Sequence, residues 1–408
     1  MKAAIIGASR EALHTIERAH KRGLKVIALD GDPRAAGLSA ADEAIVTDIS
    51  DEALVIDTLK RERPDFLLTV PIGRYLTTTG AVNDALGLPG ISREMAALCT
   101  DKLLFHEKLY EAGLRQCRCY GWDGSGMKGD GKETDWESGR LLWDQEIRFP
   151  AILKPRYGSG SRGIHMVFDR EQMQKALKEV SGEPYLLEEC MEGEEYGVDG
   201  AVTEDGFRMV LLRRKENTPP PFRQAVGYFS VQPGEEFWKQ ADEYMRKVVK
   251  CLGLKECLLH GDIIKGEQGP FAIEVSARPS GHNLHNLFTP MCTGVDMAEE
   301  YIKYRMGLSC DFTPRKTGAM LIHYFDLQGR ISYVPSREQV RKALKADLLA
   351  WQCNIKAKDE LKAAGDGHSL MGRGYFVLEA ENRRSQGGEG NYVAFLREQA
   401  EKVKALFG

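Results

Sequence analysis

The sequence predicts a mixed fold: an α/β N-terminal unit with a doubly wound parallel sheet, followed by α+β units built on antiparallel strands. Three observations predict it. Strand-like apolar runs alternate with helical patterns over residues 2–70, which is the βαβ alternation of a parallel sheet. A glycine-rich loop at 158–163 joins two strand patterns, FPAILKP at 149–155 and IHMVF at 164–168. Two apolar runs, LLHGDII and PFAIEVSA, flank Gly266-Glu267-Gln268-Gly269 and read as a β-hairpin.

The chain has 408 residues, enough for two to four domains or subdomains with cores of their own. A net charge of -4 argues against nucleic acid as a partner, because phosphate backbones demand a basic face. No apolar run reaches the roughly 18 residues of a spanning helix, and MKAAIIGAS leads straight into a strand pattern, so no membrane partner and a cytoplasmic location are expected. Association as a homodimer is left open. The nine cysteines are scattered, and Cys117-x-Cys119 lacks a second pair at zinc-finger spacing, which predicts reduced, mostly buried thiols.

In order, KAAIIG at 2–7 is a buried strand, 11–22 a helix, LKVIALD a second strand, 51–63 a helix and FLLTV at 66–70 a third strand. The first turn, Gly7 to Ala12, supplies one glycine of G-x-G-x-x-G, so Asp30 is better read as a strand-end or turn residue than as a ribose ligand. Ser92 is a candidate N-cap for the helical segment after 91, and Lys102 sits just inside a helix after Thr100-Asp101. Residues 121–135 are rich in glycine and charge and read as a surface loop.

Lys154 ends a strand directly before Gly158-Ser159-Gly160-Ser161-Arg162-Gly163. Amides of such a loop can bend around phosphate oxygens, although the loop is not a Walker A motif and a flexible hairpin tip would look similar. The strand Tyr185–Met191 carries Glu188, Glu189 and Met191 and turns at Glu192 to Glu195. Basic residues close the strand MVLLRRK, and Arg213 among them can face an anionic substrate or solvent. The stretch around Pro219 to Pro221 reads as extended loop, and 235–254 as an amphipathic helix with Phe237, Ala241, Tyr244, Val248 and Leu252 inward. In the hairpin, Glu274, Ser276 and Arg278 share a face and the turn can bring Asp262 opposite them. Two carboxylates beside a guanidinium suit a phosphate-bound Mg²⁺, and an exposed strand face with ordinary salt bridges is the alternative.

Lys102, Lys154, the 158–163 loop, Glu188 to Glu195 and Asp262/Glu274/Arg278, in this order, resemble the ATP-grasp superfamily over roughly residues 1–308. The resemblance implies a Rossmann-like domain at 1–98, an ATP-grasp domain at 99–308 with a lid at about 118–190, and a small α+β closing domain at 309–408. It implies ATP and Mg²⁺, with Mn²⁺ as an alternative ion. Lys102, Lys154, Gly158, Ser159, Gly160, Ser161 and Gly163 would hold phosphates, Glu188, Glu189 and Met191 the adenine, and Glu195 the ribose. Asp262, Glu274 and Ser276 would hold metal; serine stands where the family's E-x-N-x-R has asparagine, and a hydroxyl is a shorter ligand than an amide oxygen. Arg278 would stabilise the transferring phosphoryl group, and Ser280, Gly281, His282, Asn283 and Arg213 would line the acceptor side, with His282 and His285 equal candidates for a base. The implied activity is carboxylate–amine ligation through an acylphosphate, on amino acids or related small acids. Alternatives are an ATP-dependent carboxylase acting on bicarbonate and a nucleotide-binding regulatory protein without turnover.

Overall fold

Four short apolar runs build the first sheet. Strands β1 (Lys2–Ile6), β2 (Lys25–Asp30), β3 (Glu43–Val46) and β4 (Phe66–Leu67) pair in parallel in the order β3-β2-β1-β4. Alternation sends Ala4, Ile6, Ile27 and Leu29 to one face, against Val55 and Leu59 of the helix Glu52–Glu62. Ala3, Ile5 and Val26 face Ile16 of the helix Leu13–Lys21 and Tyr301 of the helix Met297–Arg305. Side chains of Asp51 and Ser92 cap their helices, accepting from the amides of Leu54 at 3.0 Å and Met95 at 3.1 Å. The FLLTV run pairs only at Phe66–Leu67, because after Leu68 the chain leaves the sheet for a loop over its carboxyl edge. Asp30 is a turn residue: its carboxylate accepts the amides of Ala8 at 2.6 Å and Asp32 at 2.9 Å.

This computed structural model describes residues 1–115, 119–122, 148–158, 163–180, 182–218, 224–364, 367–380 and 391–408. Ser159, Gly160 and Ser161, most of the 121–135 stretch and the three prolines therefore lie outside the described residues.

A second sheet consists of β5 (Cys119–Trp122), β6 (Ala151–Pro155), β7 (His165–Val167) and β8 (Tyr185–Glu189), antiparallel in the order β5-β8-β6-β7. Helix Arg170–Glu179 backs it through Met173, Ala176 and Leu177.

The third sheet takes β9 (Glu194–Thr203), β10 (Gly206–Asn217), β11 (Ala225–Ser230), β12 (Cys257–Gly266), β13 (Gly269–Ser276), β14 (Met320–Tyr324), β16 (Asp347–Cys353) and β18 (Gly374–Glu379). They run antiparallel in the order β13-β12-β9-β10-β11-β14-β18-β16, and β15 (Gly329–Arg330) pairs separately with β17 (Glu360–Leu361). The strands beyond residue 308 thus extend the sheet begun by β9, β14 bonding to β11 at Gly227–His323 to Phe229–Leu321. Helix Glu236–Cys251 covers one face with Phe237, Ala241, Met245, Val248 and Val249 buried. The predicted stripe placed Tyr244 inward; it lies at the flank instead, where its hydroxyl donates to the Leu114 carbonyl and accepts the Ala272 amide, both at 3.0 Å.

Among the described residues the eight cysteines are all free, and only Cys257 and Cys292 are fully buried, fewer than expected. No described helix is long and apolar enough to cross a membrane.

Candidate active site

The central sheet turns one face to helix Glu236–Cys251, and the other carries a row of polar side chains that crosses five strands. The register decides which groups meet. In the hairpin, Asp262 pairs with Glu274 and His260 with Ser276, so all four project together. On the other side of β12, His260 pairs with Asp199 and Asp262 with Gly197 of β9, and Gly197 pairs with Arg213 of β10. A Cβ on Gly197 would lie 3.1 Å from Arg213 Nη2, so glycine there lets the guanidinium lie flat across the strand.

Arg213 is completely buried, donates from Nη2 to Asp199 at 3.0 Å and stacks over the Tyr228 ring at 5.3 Å. Its Nε and Nη1 have no hydrogen-bond partner among the described residues. Burial would raise the Asp199 carboxyl, but the Arg213 charge, with His260 and the Thr289 hydroxyl at 2.7 Å, outweighs it and holds the group well below the usual carboxylate range. Two residues on, Lys215 donates to Asp262 Oδ2, while Asp262 Oδ1 is buried without a partner among the described residues. Burial again raises the Asp262 carboxyl and Lys215 more than offsets it, so the group stays ionised.

A second cluster gathers at the end of β6. Lys154, at the end of β6, donates to Glu188 at 2.5 Å, and Arg115 donates to the same carboxylate at 2.9 Å. Burial pushes this carboxyl up, and the two cations more than reverse it. His106, 3.2 Å from Glu188, is driven well below its ordinary value by burial and then by Arg115 and Lys154, so it is neutral. Asp101 caps the helix Lys102–Glu111 and also takes Arg156 through two bonds of 2.8 Å and the Tyr157 hydroxyl at 3.0 Å. Lys102 Nζ donates to the Gly158 carbonyl at 2.7 Å. The helix start is thereby tied to Arg156, Tyr157 and Gly158 at the base of the glycine loop. Burial lowers the Lys102 ammonium, with Glu274 opposing the shift. A cavity lined by Arg74, Lys102, Gly158, Glu274, Ser276 and Arg278 opens between this cluster and the hairpin.

Gly163, at the far end of the loop, has φ +70°, and a Cβ there would meet the Tyr185 hydroxyl at 2.6 Å. Glu188 and Glu189 end β8, the Cys190 amide between Glu189 and Met191 donates to the Pro150 carbonyl at 3.0 Å, and Glu195 lies on β9 opposite Ile264. Gly193 joins them at φ +148°, where a Cβ would be 2.3 Å from the Lys265 carbonyl oxygen.

Arg278 follows β13; burial lowers its guanidinium, against the opposing charges of Glu274, Asp262 and Glu11. The loop after it holds two residues in the left-handed region, His282 at φ +63° and Asn283 at +58°. Its backbone is clamped from two sides: Glu11, from the N-terminal unit, accepts the His282 amide at 2.8 Å, and the Tyr324 hydroxyl donates to the His282 carbonyl. Ser280 is buried beside them, and the Gly281 carbonyl accepts the Leu284 amide at 3.1 Å. His285, indistinguishable from His282 by spacing, is fully buried and donates from Nδ1 to the Ser280 carbonyl; burial pushes its ring down to about 4. His282 is partly exposed.

Lys102, Gly158, Glu274, Ser276 and Arg278 line one cavity, while Lys154 and Glu188 pair in the buried cluster and Asp262 stands opposite Glu274 on the hairpin; Ser280 to Asn283 follow Arg278 along the chain. Arg213 lies in the sheet face behind Asp262, held by Asp199. Sequence reasoning had the basic end of the MVLLRRK strand, Lys215 included, facing an anionic substrate or solvent, whereas Lys215 bonds Asp262; it missed Glu11, Arg74, Asp199 and His260 as members. Asp199, an acid inside the apolar YGVDGAV strand, carried the same signal as Asp262, and His260 lies two residues before Asp262 on the same strand face.

For a divalent cation the donor set fits: one ligand atom each from His260, Asp262 and Glu274 lie within 4.8 Å of one another. His106, Cys119 and Glu188 are similarly close, but the Glu188 charge is already compensated by Lys154 and Arg115.

Residues 147–285 match the model of the ATP-grasp domain. The chain carries an ATP-grasp domain. Whole-chain similarity in fold goes further than this match. An L-amino acid ligase from Bacillus licheniformis superposes with a TM-score of 0.75 at 18% identity, over 98% of this chain and 97% of that one. A phosphoribosylglycinamide synthetase from Anaerococcus prevotii does so with 0.70 at 18%, over 100% and 98%. In sequence, an uncharacterised protein of Sinorhizobium fredii is 24% identical over 273 residues, 64% of this chain and 53% of that protein. Dapdiamide A synthase of Enterobacter agglomerans is 24% identical over 215 residues, 49% of this chain and 47% of that protein. The chain thus matches about half the length of these two relatives.

Proposed function

We propose that this protein is an ATP-dependent carboxylate–amine ligase that forms a C–N bond through an acylphosphate, with amino acids or related small acids as substrates. One observation carries the reading: the opposed carboxylates Asp262 and Glu274 stand on the same strand-pair face as Ser276, beside Arg278, at a cleft that Lys102 also lines, with Lys154 in the buried cluster that adjoins Lys102. Such a constellation suits a nucleoside triphosphate held with a divalent cation, with no side-chain nucleophile needed.

In this reading Lys102, Lys154 and the 158–163 loop bind phosphates, the stretch Glu188 to Met191 receives adenine, and Glu195 takes the ribose. Asp262 and Glu274 would hold Mg²⁺, which when bound would supply charge neutralisation at the phosphates. Arg278 bears on the developing charge of the transferring group. Ser280 to Asn283, fixed by Glu11 and Tyr324, line the acceptor side, where His282 rather than the interior His285 can take the amine proton. The N-terminal unit ends at about 98 and residues 118–190 form the lid, while the strands after 308, expected as a separate closing domain, share the central sheet through β11 and β14. The amino-acid substrate class draws on the similar fold of the amino acid ligase and on the sequence similarity to dapdiamide A synthase.

The test is to mix the protein with ATP, Mg²⁺ and amino-acid pairs and to measure ADP, phosphate and dipeptide together. A carboxylate labelled with oxygen-18 should deliver one labelled oxygen to the released phosphate. ADP formation that needs bicarbonate and no amine would replace the reading with a carboxylase, and ADP binding without turnover on any acid would replace it with a regulatory protein.

A further inference from the structure

We propose that His260 is a direct metal ligand, so that this site binds its ion through a nitrogen as well as two carboxylates and prefers Mn²⁺ over Mg²⁺. The inference rests on the ATP-grasp reading of the hairpin above and concerns what this chain does differently there.

Ser276 offers only a short hydroxyl, and the residue that faces it across the hairpin is His260. Nε2 of His260 lies 3.7 Å from Asp262 Oδ1, the carboxylate atom left without a partner once Lys215 has taken Oδ2. An ion about 2.1 Å from both atoms at the near-90° angle of an octahedral site would place them about 3.0 Å apart, so ring and carboxylate would close by about 0.7 Å on binding. The other ring nitrogen faces a buried carboxylate. Nδ1 lies 3.7 Å from Asp199 Oδ1, too far for a direct hydrogen bond, and 3.5 Å from Arg213 Nη2. With an ion on Nε2 the ring proton would sit on Nδ1, where a small ring shift toward Asp199, itself held by Arg213 at 3.0 Å and Thr289 at 2.7 Å, would give it an acceptor. Hard Mg²⁺ gains little from an imidazole, whereas first-row transition ions do, and Mn²⁺ also accepts the two carboxylates.

The experiment uses the full-length protein with Mn²⁺ and the methylene analogue of ATP, whose phosphate bridge contributes no nitrogen. Pulsed electron paramagnetic resonance should show a directly bound nitrogen, and its signal should change when the protein is made with nitrogen-15 histidine. His260→Ala should abolish that signal and reduce the Mn²⁺-over-Mg²⁺ affinity ratio by about tenfold or more. Bound Mn²⁺ and analogue without a histidine coupling in the parent protein would overturn the inference and leave the ATP-grasp reading intact. Failure of Mn²⁺ and analogue to bind at all would remove both. The labelling arm needs no variant, so a His260→Ala protein that does not fold still leaves a decisive result.

Discussion

Replacing Arg213 by methionine tests the polar row at its most buried point. Both Arg213 and Asp199 have no exposed side-chain surface, and they meet at 3.0 Å. Removing one member of such a pair leaves an uncompensated charge in the sheet and typically costs about 3–5 kcal/mol, far above the 0–1 kcal/mol of an exposed pair. At about 2 °C per kcal/mol for a unit of this size, the melting temperature should fall by roughly 6–10 °C. Arg213→Met combined with Asp199→Leu removes both charges and leaves chiefly the Thr289 hydroxyl without its acceptor, a loss of about 1–2 kcal/mol. The double variant should therefore melt above the single one. pH supplies a second arm. Asp199 titrates below its unfolded value, so its stabilisation is present above about pH 4 and is lost as pH falls through the depressed folded value. The deficit of Arg213→Met should accordingly be full at pH 7 and shrink on acidification below pH 4. A single variant within about 1 kcal/mol of the parent, or a double variant no better than the single, refutes the argument.

Three further outcomes follow from the same geometry. Glu274→Gln removes a charge that faces the cleft and not the core, so turnover should fall at least about a hundredfold while the melting temperature stays within about 2 °C; steady-state kinetics within a few-fold of the parent reject the role. His285 titrates at about 4 when folded against roughly 6.5 unfolded, so the unfolded chain binds the extra proton between those values. Stability should drop by about 3 kcal/mol as pH falls through that window, and denaturant titrations at several pH values should show this slope missing in His285→Asn. Gly193→Ala drives a Cβ to 2.3 Å from the Lys265 carbonyl at φ +148°, costing more than about 2 kcal/mol and shifting the stretch Glu188 to Met191 proposed to receive adenine; calorimetry should find nucleotide affinity at least about tenfold weaker, and unchanged affinity would refute that placement.

The hairpin itself was legible from its turn, but the pairing of its acids was not: counted back from Gly266–Gly269, Asp262 would face Ile273, and only the register shift between Asp262 and Ile263 puts Glu274 opposite it. Lys154 before its glycines was legible for a similar local reason. Asp199, Lys215 and His260 were not, since their meaning depends on how β9 and β10 align with β12, and cross-strand register between segments tens of residues apart leaves no local mark. The histidines near 282 show the same limit. Their spacing is symmetrical with respect to any base role, and only the turn at Asn283, which sends His285 inward, distinguishes them. The helix at 236–251 was placed correctly and rotated slightly, because a tyrosine that satisfies its hydroxyl at a helix flank looks, in sequence, like a core aromatic.

The bond ladder between β11 and β14 has a consequence for how this protein can be dissected. Cutting the chain after residue 308 would strip β11 of its neighbour and leave the Gly227 to Phe229 backbone as an open edge, with Phe229 and its apolar surroundings facing water. A fragment trimmed to the nucleotide-binding part should consequently self-associate, so the last three strands of the sheet belong to any piece intended to stand alone.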